Sequence, residues 1–178
     1  RCLSRGLGDV YKRQHFDFIV IGAGVAGLSA AYFLSKSSSV AILERESHAG
    51  THSSGRSAAV FIESYENYTV SDLTMDSKDF FLHPPEGFSD HDLMRRRGGL
   101  SLVEEGEEKL ADEFLDFWSY RCPSLKMIDK DDVLSRVPAI KPGAFVYGIF
   151  DPELYDIDVN ELLSCLLYTS PSPRDKHR

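Results

Sequence analysis

Six residues from Gly22 to Gly27 read Gly-Ala-Gly-Val-Ala-Gly, the spacing G-x-G-x-x-G. In dinucleotide-binding turns the first glycine permits a tight turn, the second lets the backbone approach a pyrophosphate, and the third lets a helix pack closely on a strand. A helix that begins here also presents unpaired N–H groups and positive partial charge to the phosphates. The motif predicts that Gly22, Gly24 and Gly27 form a dinucleotide site; the alternative is a glycine-rich turn without a ligand.

Glu44 is a second candidate for chemistry, because it lies 17 residues beyond Gly27, directly after the apolar run Val40–Leu43. An acidic side chain at the end of the second strand of such a unit can accept hydrogen bonds from ribose hydroxyls. This position is compatible with either NAD or FAD, so Glu44 alone does not choose between them.

The segment Thr51–Ala59 reads Thr-His-Ser-Ser-Gly-Arg-Ser-Ala-Ala. Small side chains let backbone N–H groups come close to a bulky ligand, while the hydroxyl groups and Arg56 could contact phosphate or flavin oxygens. After this segment the chain leaves the strand–helix alternation that a nicotinamide-binding domain usually continues. These features favour FAD.

The elements that must position these residues are a strand over Phe16–Ile21, a helix over Gly24–Ser37 and a strand over Val40–Leu43. Together they predict a βαβ unit of a doubly wound, Rossmann-like α/β domain. The loop His48–Ala59 is predicted to lead into a helix. Further predicted elements are helices over Ser71–Leu82 (with Ser71 as N-cap), Glu107–Tyr120, Asp131–Val137 and Asp158–Ser164, and strands over Leu100–Val103 and Ala144–Phe150.

Both ends of the chain are predicted to be translated sequencing-adapter DNA. Codons that encode Ser4–Gln14 (SRGLGDVYKRQ) give, on the opposite strand shifted by one base, the peptide CLLYTSPSPR, which begins at Cys165. We therefore expect residues 1–14 and 165–178 to be foreign tails that are not part of the native domain. The remainder, 15–164, is expected to be an FAD-binding domain into which part of a substrate domain is inserted at about 60–150.

Removing the seven basic and two acidic residues of these ends leaves 13 basic and 26 acidic residues, a formal net charge of −13. Such a charge argues against nucleic acid or an anionic membrane as a partner. Cys122 is then the only native cysteine, so neither a disulfide framework nor metal-ligand spacing is present. No apolar run is long enough to span a membrane. A cytoplasmic location is expected, and a membrane-peripheral location of the intact protein stays open.

At these residues the chain resembles the D-amino-acid oxidase superfamily of FAD-dependent oxidoreductases, and within it bacterial D-arginine dehydrogenases most. The stretches that carry the resemblance are FDFIVIGAGVAGLSAAYFLS, VAILERESHAGTHSSGRSAAVF, FFLHPPEGF, DDVLSRVPAIKP and YGIFDPELYDIDVNELL, which together cover most of residues 16–163. The fingerprint is common to many flavoproteins, whereas HSSGRSAA and DIDVNEL are more selective.

The resemblance implies noncovalent FAD and oxidation of a D-amino acid to an imino acid by hydride transfer to the flavin. It also implies a second domain, built on an antiparallel sheet, for a small-molecule substrate. The electron acceptor is not specified. By position, Tyr65 matches a substrate-pocket tyrosine. The matched cofactor contacts are Ala26, Glu44, Arg45, Ser53, Ser54, Gly55, Arg56, Ser57, Ala58, Ala59 and Val60.

The sequence departs from the D-arginine dehydrogenase pattern at three positions. Val60 stands where that pattern has an active-site histidine, Ile62 replaces a pocket threonine, and Gly99 aligns with the glutamate that recognises the basic substrate. Losing a buried carboxylate removes the reason to prefer a guanidinium group, so a neutral D-amino acid is expected. In the superfamily, the substrate-binding arginine and tyrosine and the second FAD-binding segment belong to the later half of the chain, which this sequence does not include. The catalytic residues are therefore unknown, and this fragment by itself is expected to be inactive.

Other interpretations stay open at this point. The function could be that of a sarcosine- or glycine-oxidase-like amine oxidase, a non-catalytic dinucleotide-binding subunit, or a simple NAD-binding domain. His52 could attach flavin covalently or only form a local hydrogen bond. Arg95–Arg97 could form a solvated strand edge or an anion site, and the stripe Phe114, Phe117 and Trp118 could pack in the core or face a partner.

Overall fold

A computed structural model describes residues 15–168. Within them the chain forms two compact units. Residues 15–56 and 163–168 belong to the first, and residues 57–162 form the second.

The first unit is built on a parallel strand pair joined by a helix. β1 (Phe18–Ile21) and β2 (Val40–Leu43) pair in register from Phe18 opposite Val40 to Ile21 opposite Leu43. The crossover helix α1 (Val25–Ser35) buries Leu28, Ala31 and Tyr32 on one face. Parallel strands cannot be joined by a tight hairpin and require such a crossover, and the predicted βαβ unit is confirmed.

The helix predicted after His48–Ala59 is wrong. The chain instead runs through turns as far as Ser57 and then enters the short strand β3 (Val60–Phe61). Hydroxyl side chains compete for backbone hydrogen bonds, and here the Ser57 hydroxyl accepts a bond from Ala59 N at 3.0 Å. Ala59 also has a positive φ of 54°, which a continuing right-handed helix does not permit.

The second unit contains two three-stranded antiparallel sheets, in the orders β3–β8–β4 and β5–β7–β6. Its other strands are β4 (Met94–Arg96), β5 (Gly99–Val103), β6 (Lys126–Ile128), β7 (Tyr147–Asp151) and β8 (Tyr155–Ile157). The helices that follow α1 are α2 (Tyr68–Leu82), α3 (Glu108–Trp118), α4 (Lys130–Arg136) and α5 (Val159–Tyr168). Strands β3, β4, β6 and β8 have two or three residues each, too few to show a period of two.

The arginine run lies at a strand edge, as one of the two interpretations expected. β4 holds an outer position in its sheet and pairs only with β8. Arg96 pairs with Glu153 at 2.9 Å, and Arg97 with Asp156 at 2.8 Å. These arginines therefore neutralise carboxylates of the same unit.

The aromatic stripe on α3 divides between the core and the surface. Trp118 is buried, whereas Phe114 and Phe117 remain exposed. The ring of Phe117 stacks on Tyr68 at a centroid distance of 4.4 Å. Core packing is thus confirmed only for Trp118.

Helix α2 begins three residues earlier than the sequence suggested. Its N-cap is Asn67, whose side-chain oxygen accepts hydrogen bonds from Thr69 N at 3.0 Å and Val70 N at 3.1 Å. Ser71, the predicted cap, lies inside the helix and is fully buried. Both residue types favour N-caps, and only the observed path of the chain distinguishes them.

Asn67→Ala is expected to destabilise the second unit by about 1 kcal/mol, because two N–H groups of the first turn lose their acceptor. Urea unfolding of the complete protein, followed by a probe in α2, measures this loss. Asn67→Asp is the control, because it keeps the acceptor and should match the parent. Equal stability of the alanine variant would show that solvent caps the helix equally well.

Helix α5 continues into the segment predicted to be adapter-derived. Cys165 and Leu166 lie in it and are buried, which reflects their apolar side chains and is independent of the origin of their codons. The other residues predicted to be foreign, 1–14 and 169–178, lie outside the described part of the chain. Within residues 15–168, no helix has both the length and the apolar character needed to cross a membrane.

Candidate cofactor and substrate sites

The glycine-rich turn has the geometry that its spacing predicted. Gly22 adopts a φ of +98° and donates its N–H to Leu43 O at 2.8 Å. A Cβ at Gly27 would lie 2.0 Å from the Gly22 carbonyl oxygen. The turn therefore excludes any side chain at Gly27, because the oxygen that a Cβ would overlap belongs to the backbone and cannot rotate away.

The loop residue Ser54 reaches the start of α1. Its hydroxyl oxygen accepts a hydrogen bond from Val25 N at 3.0 Å, and a Cβ at Gly24 would lie 3.0 Å from the same oxygen. The first backbone hydrogen bond of the helix itself runs from Leu28 N to Gly24 O, at 2.9 Å. Ser54 thus caps the helix from outside, and its hydroxyl can still donate a hydrogen bond.

The Glu44 carboxylate bridges the end of β2 and the glycine turn. It accepts hydrogen bonds from Ala23 N at 2.7 Å and from Glu46 N at 2.9 Å. The bond from Glu46 N, followed by that from Ala23 N, lowers the pKa of Glu44 below its usual value. Glu44 is exposed, so an ionised carboxylate with remaining acceptor capacity faces solvent beside the turn.

Arg45 and His52 both contact Glu46. Arg45 Nη2 lies 2.9 Å, and His52 Nε2 3.1 Å, from the same Glu46 oxygen. The contact of His52 is a local hydrogen bond, one of the two roles that the sequence left open for this residue beside covalent attachment of flavin. The Arg45 side chain is exposed and points to its neighbour rather than to Glu44.

Gly50 is a structural residue of this site that the sequence reasoning missed. It has a φ of +69°, donates to Ala23 O at 2.9 Å and accepts from Gly55 N at 2.7 Å. A Cβ at Gly55 would lie 2.4 Å from Gly50 O. The loop is therefore fixed to the glycine turn by backbone contacts. In the sequence, the two glycines within a run of polar residues were the signal that could have identified Gly50.

These residues fit a dinucleotide. The first N–H groups of α1 have no intrahelical acceptor; Ser54 accepts from that of Val25, and the others remain for a pyrophosphate near Gly24. The Glu44 carboxylate is exposed beside them. Ala26, Ser53 and Arg56 are also exposed in this unit, so a large ligand can reach them.

The remaining predicted residues lie in the second unit, where they line an open pocket of about 630 Å³. Ser57, Ala58, Ala59, Val60, Ile62 and Tyr65 form part of its wall, and all of them were named from the sequence. The sequence reasoning did not identify the rest of the lining, which is Phe61, Val70, Leu73, Thr74, Ser77, Phe81 and Ile157.

The α2 wall of this pocket looks in the sequence like an ordinary apolar helix face. Val70, Leu73, Thr74, Ser77 and Phe81 recur every three or four residues, the spacing of a stripe that usually packs on a core. In the structure Leu73 keeps 65% of its surface exposed. The stripe therefore faces an open cavity, which a period of 3.6 residues cannot reveal.

Comparison with solved structures shows the fold. The chain superposes on L-alpha-glycerophosphate oxidase from Mycoplasma pneumoniae, solved with FAD bound, with a TM-score of 0.75 and 18% identity over 88% of this chain and 42% of that one. Glycine oxidase from Geobacillus kaustophilus superposes with a TM-score of 0.75 and 20% identity over 87% of this chain and 44% of that one. L-proline dehydrogenase from P. horikoshii superposes with a TM-score of 0.73 and 18% identity over 86% of this chain and 41% of that one. The chain thus spans about two fifths of the length of these proteins.

The family model described as FAD dependent oxidoreductase (DAO) matches residues 17–169. This match covers both units of the described chain, the glycine turn and the open pocket. The mixed α/β fold predicted from the sequence is confirmed by these matches, and so is the cofactor FAD. The chain belongs to the DAO family of FAD-dependent oxidoreductases.

Proposed function

We propose that the complete protein oxidises a neutral D-amino acid to the imino acid, which water then hydrolyses. The observation that carries this proposal is the apolar pocket whose lining includes Tyr65 and the segment Ser57–Val60. Substrate pockets are mostly apolar and contain a few polar groups that fix orientation. Here Ser57, Thr74 and Tyr65 supply hydroxyl groups on an otherwise largely apolar wall.

The residues of the first unit would hold FAD without a covalent bond. FAD, when bound, supplies a hydride acceptor at flavin N5 for the hydrogen on the substrate α-carbon. The turn and α1 would bind the pyrophosphate, and Glu44 would accept from ribose hydroxyls. The proposed cofactor-binding residues are Gly22, Gly24, Ala26, Gly27, Glu44, Arg45, Ser53, Ser54, Gly55, Arg56, Ser57, Ala58, Ala59 and Val60.

The preference for a neutral side chain rests on Val60 and Ile62, which present apolar groups to the pocket. Gly99, which aligns with the substrate-recognising glutamate of the D-arginine dehydrogenase pattern, carries no side chain and does not line the pocket. No carboxylate lines the pocket among the described residues. A substrate guanidinium would therefore lose its hydration without gaining a partner.

A glycine- or sarcosine-oxidising function is the second candidate. It is favoured by the superposition on glycine oxidase, with a TM-score of 0.75. Neighbours such as L-proline dehydrogenase act on the opposite enantiomer series, so the shared fold alone does not select the D series. A non-catalytic dinucleotide-binding subunit is the remaining alternative. Anaerobic reduction of the flavin by a panel of amino acids and amines separates all three.

The proposed extent of the FAD-binding domain is 15–164, with part of the substrate domain inserted at about 60–150. A cytoplasmic location is proposed with it. The location is supported by Cys122, which is buried and unbridged, as expected for a protein of a reducing compartment.

We expect the visible flavin bands of the complete protein to bleach anaerobically with a neutral D-amino acid, such as D-leucine, but not with L-leucine or D-arginine. Anaerobic spectra with a panel of D- and L-amino acids, glycine and sarcosine make the measurement. Bleaching by glycine or sarcosine alone would move the function to the second candidate. A flavin that nothing in the panel reduces would leave the non-catalytic subunit.

A further inference from the structure

A network of charged side chains lies behind the pocket, within the second unit. Lys78 Nζ contacts Glu63 at 2.6 Å and Glu153 at 3.1 Å. Arg96 contacts Glu153 at 2.9 Å and the Tyr155 hydroxyl at 3.0 Å. The Tyr155 hydroxyl donates in turn to Glu153 at 3.1 Å. Two cations therefore neutralise two carboxylates around one phenol.

The network joins the walls of the pocket. Glu63 follows Ile62 and precedes Tyr65 by two residues, and both of these line the cavity. Lys78 lies on α2, one helical turn from Thr74 and from Phe81, which line it from the other side. The Glu63–Lys78 pair is thus a direct side-chain link between α2 and residues 60–66, which we call the β3 segment.

Tyr155 extends this link to the apolar part of the wall. Its ring contacts Phe61 edge-on at 6.2 Å, and Phe61 contacts Phe81 in the same way at 5.9 Å. Lys78 Nζ also lies 5.3 Å from the centroid of the Tyr155 ring. A shift of Lys78 would therefore reach Phe61 and Phe81, two of the three aromatic residues that line the pocket.

Burial makes the pairing necessary. Only 8% of Glu63 is exposed, and a carboxylate at this depth requires a compensating charge. Burial lowers the pKa of Lys78, but its hydrogen bonds to Glu63 and Glu153 outweigh that effect and the pKa is raised overall. Lys78 thus remains a cation, and its removal would leave the Glu63 carboxylate buried with one compensating charge fewer.

We propose that Lys78 is a positioning residue that holds the β3 segment and α2 at a fixed separation and thereby sets which substrate side chains the pocket accepts. The selectivity part of this inference rests on the proposed function. The positioning part rests only on the contacts between Glu63, Lys78 and Glu153.

The test uses the complete FAD-loaded protein and its Lys78→Met variant. Flavin reduction is measured with D-leucine and D-alanine, which differ in side-chain size. Lys78→Met should lower the ratio of kcat/KM for D-leucine to that for D-alanine by about tenfold, because contacts of the larger side chain with the walls are lost. Lys78→Arg should restore most of the ratio, since a guanidinium can pair with both carboxylates.

Lys109→Met is the matched control. Lys109 also pairs with a carboxylate, Glu113 at 3.5 Å, but its side chain is 88% exposed, so its loss should leave the ratio unchanged. A folded, flavin-loaded Lys78→Met protein with the parent ratio would overturn the inference. So would an equal loss of activity on both substrates that Lys78→Arg does not rescue.

Hydrogen exchange provides a readout without any substrate. Amides of residues 60–66 and 70–81 should exchange faster in Lys78→Met and at the parent rate in Lys109→Met. If no amino acid or amine reduces the flavin of the parent protein, the proposed function fails. Exchange then still decides whether Lys78 positions the walls, and unchanged exchange in Lys78→Met would refute it.

Discussion

Gly27→Ala is expected to abolish flavin binding and to unfold the first unit. The added Cβ would lie 2.0 Å from Gly22 O, 3.1 Å from Gly22 C and 3.3 Å from a Val20 methyl group. The closest of these contacts is with backbone at the tight turn, so no side-chain rotation can relieve the overlap. We expect destabilisation of at least about 3 kcal/mol, the upper end for an overpacked site. Flavin content after purification and thermal unfolding measure the effect.

Two other glycine substitutions make this prediction specific. Gly143→Ala should be neutral, because nothing lies within 4 Å of its added Cβ. At Gly24 the added Cβ would meet only the Ser54 hydroxyl, at 3.0 Å, which can move. Gly24→Ala should therefore keep the fold and lose affinity for FAD, since the Cβ would stand where the pyrophosphate approaches. Normal flavin content in Gly27→Ala would contradict the role assigned to the turn.

Glu44→Ala is expected to raise the Kd for FAD by about 10- to 100-fold, the loss that follows removal of hydrogen bonds to a charged group. The carboxylate both fixes Ala23 N at 2.7 Å and is proposed to accept from ribose hydroxyls. Titration of the deflavinated protein with FAD, followed by flavin fluorescence, gives the Kd. Glu46→Ala is the control, because it removes the neighbouring carboxylate, which contacts Arg45 and His52, and keeps the backbone N–H that Glu44 accepts.

The same carboxylate predicts a pH dependence. The hydrogen bonds from Glu46 N and Ala23 N lower the pKa of folded Glu44 below its usual value of 4.5. The contribution of the Glu44 carboxylate to folding stability is therefore fully present above pH 4.5 and declines as the pH falls through the lower folded value. Acid unfolding of Glu44→Gln should lack this component. An identical acid unfolding profile for parent and variant would show that the hydrogen bonds of this carboxylate do not stabilise the turn.

The sequence was most informative where function depends on backbone. The order of strand, glycine turn, helix, strand and acid was predicted from Gly22 to Glu44, because steric rules fix which residues can occupy such a turn. Sequence reasoning failed directly after Ala59, where the strand β3 (Val60–Phe61) replaces the predicted helix. It also failed at Ser71, where an equally good cap stood four residues earlier at Asn67. In both places several local outcomes have similar energies, and tertiary contacts select one.

The sequence by itself determined the family, the cofactor and the residues that surround the glycine turn. Their chemistry is local, and their spacing is set by one βαβ unit. The pocket and the network behind it were decided by tertiary structure alone. Glu63, Lys78 and Glu153 are up to 90 residues apart in the chain and look individually like ordinary surface charges. Only the pairing of β3 and β4 with β8, and the packing of α2 beside them, brings these charges together, because partnership between buried charges is a property of distance in space.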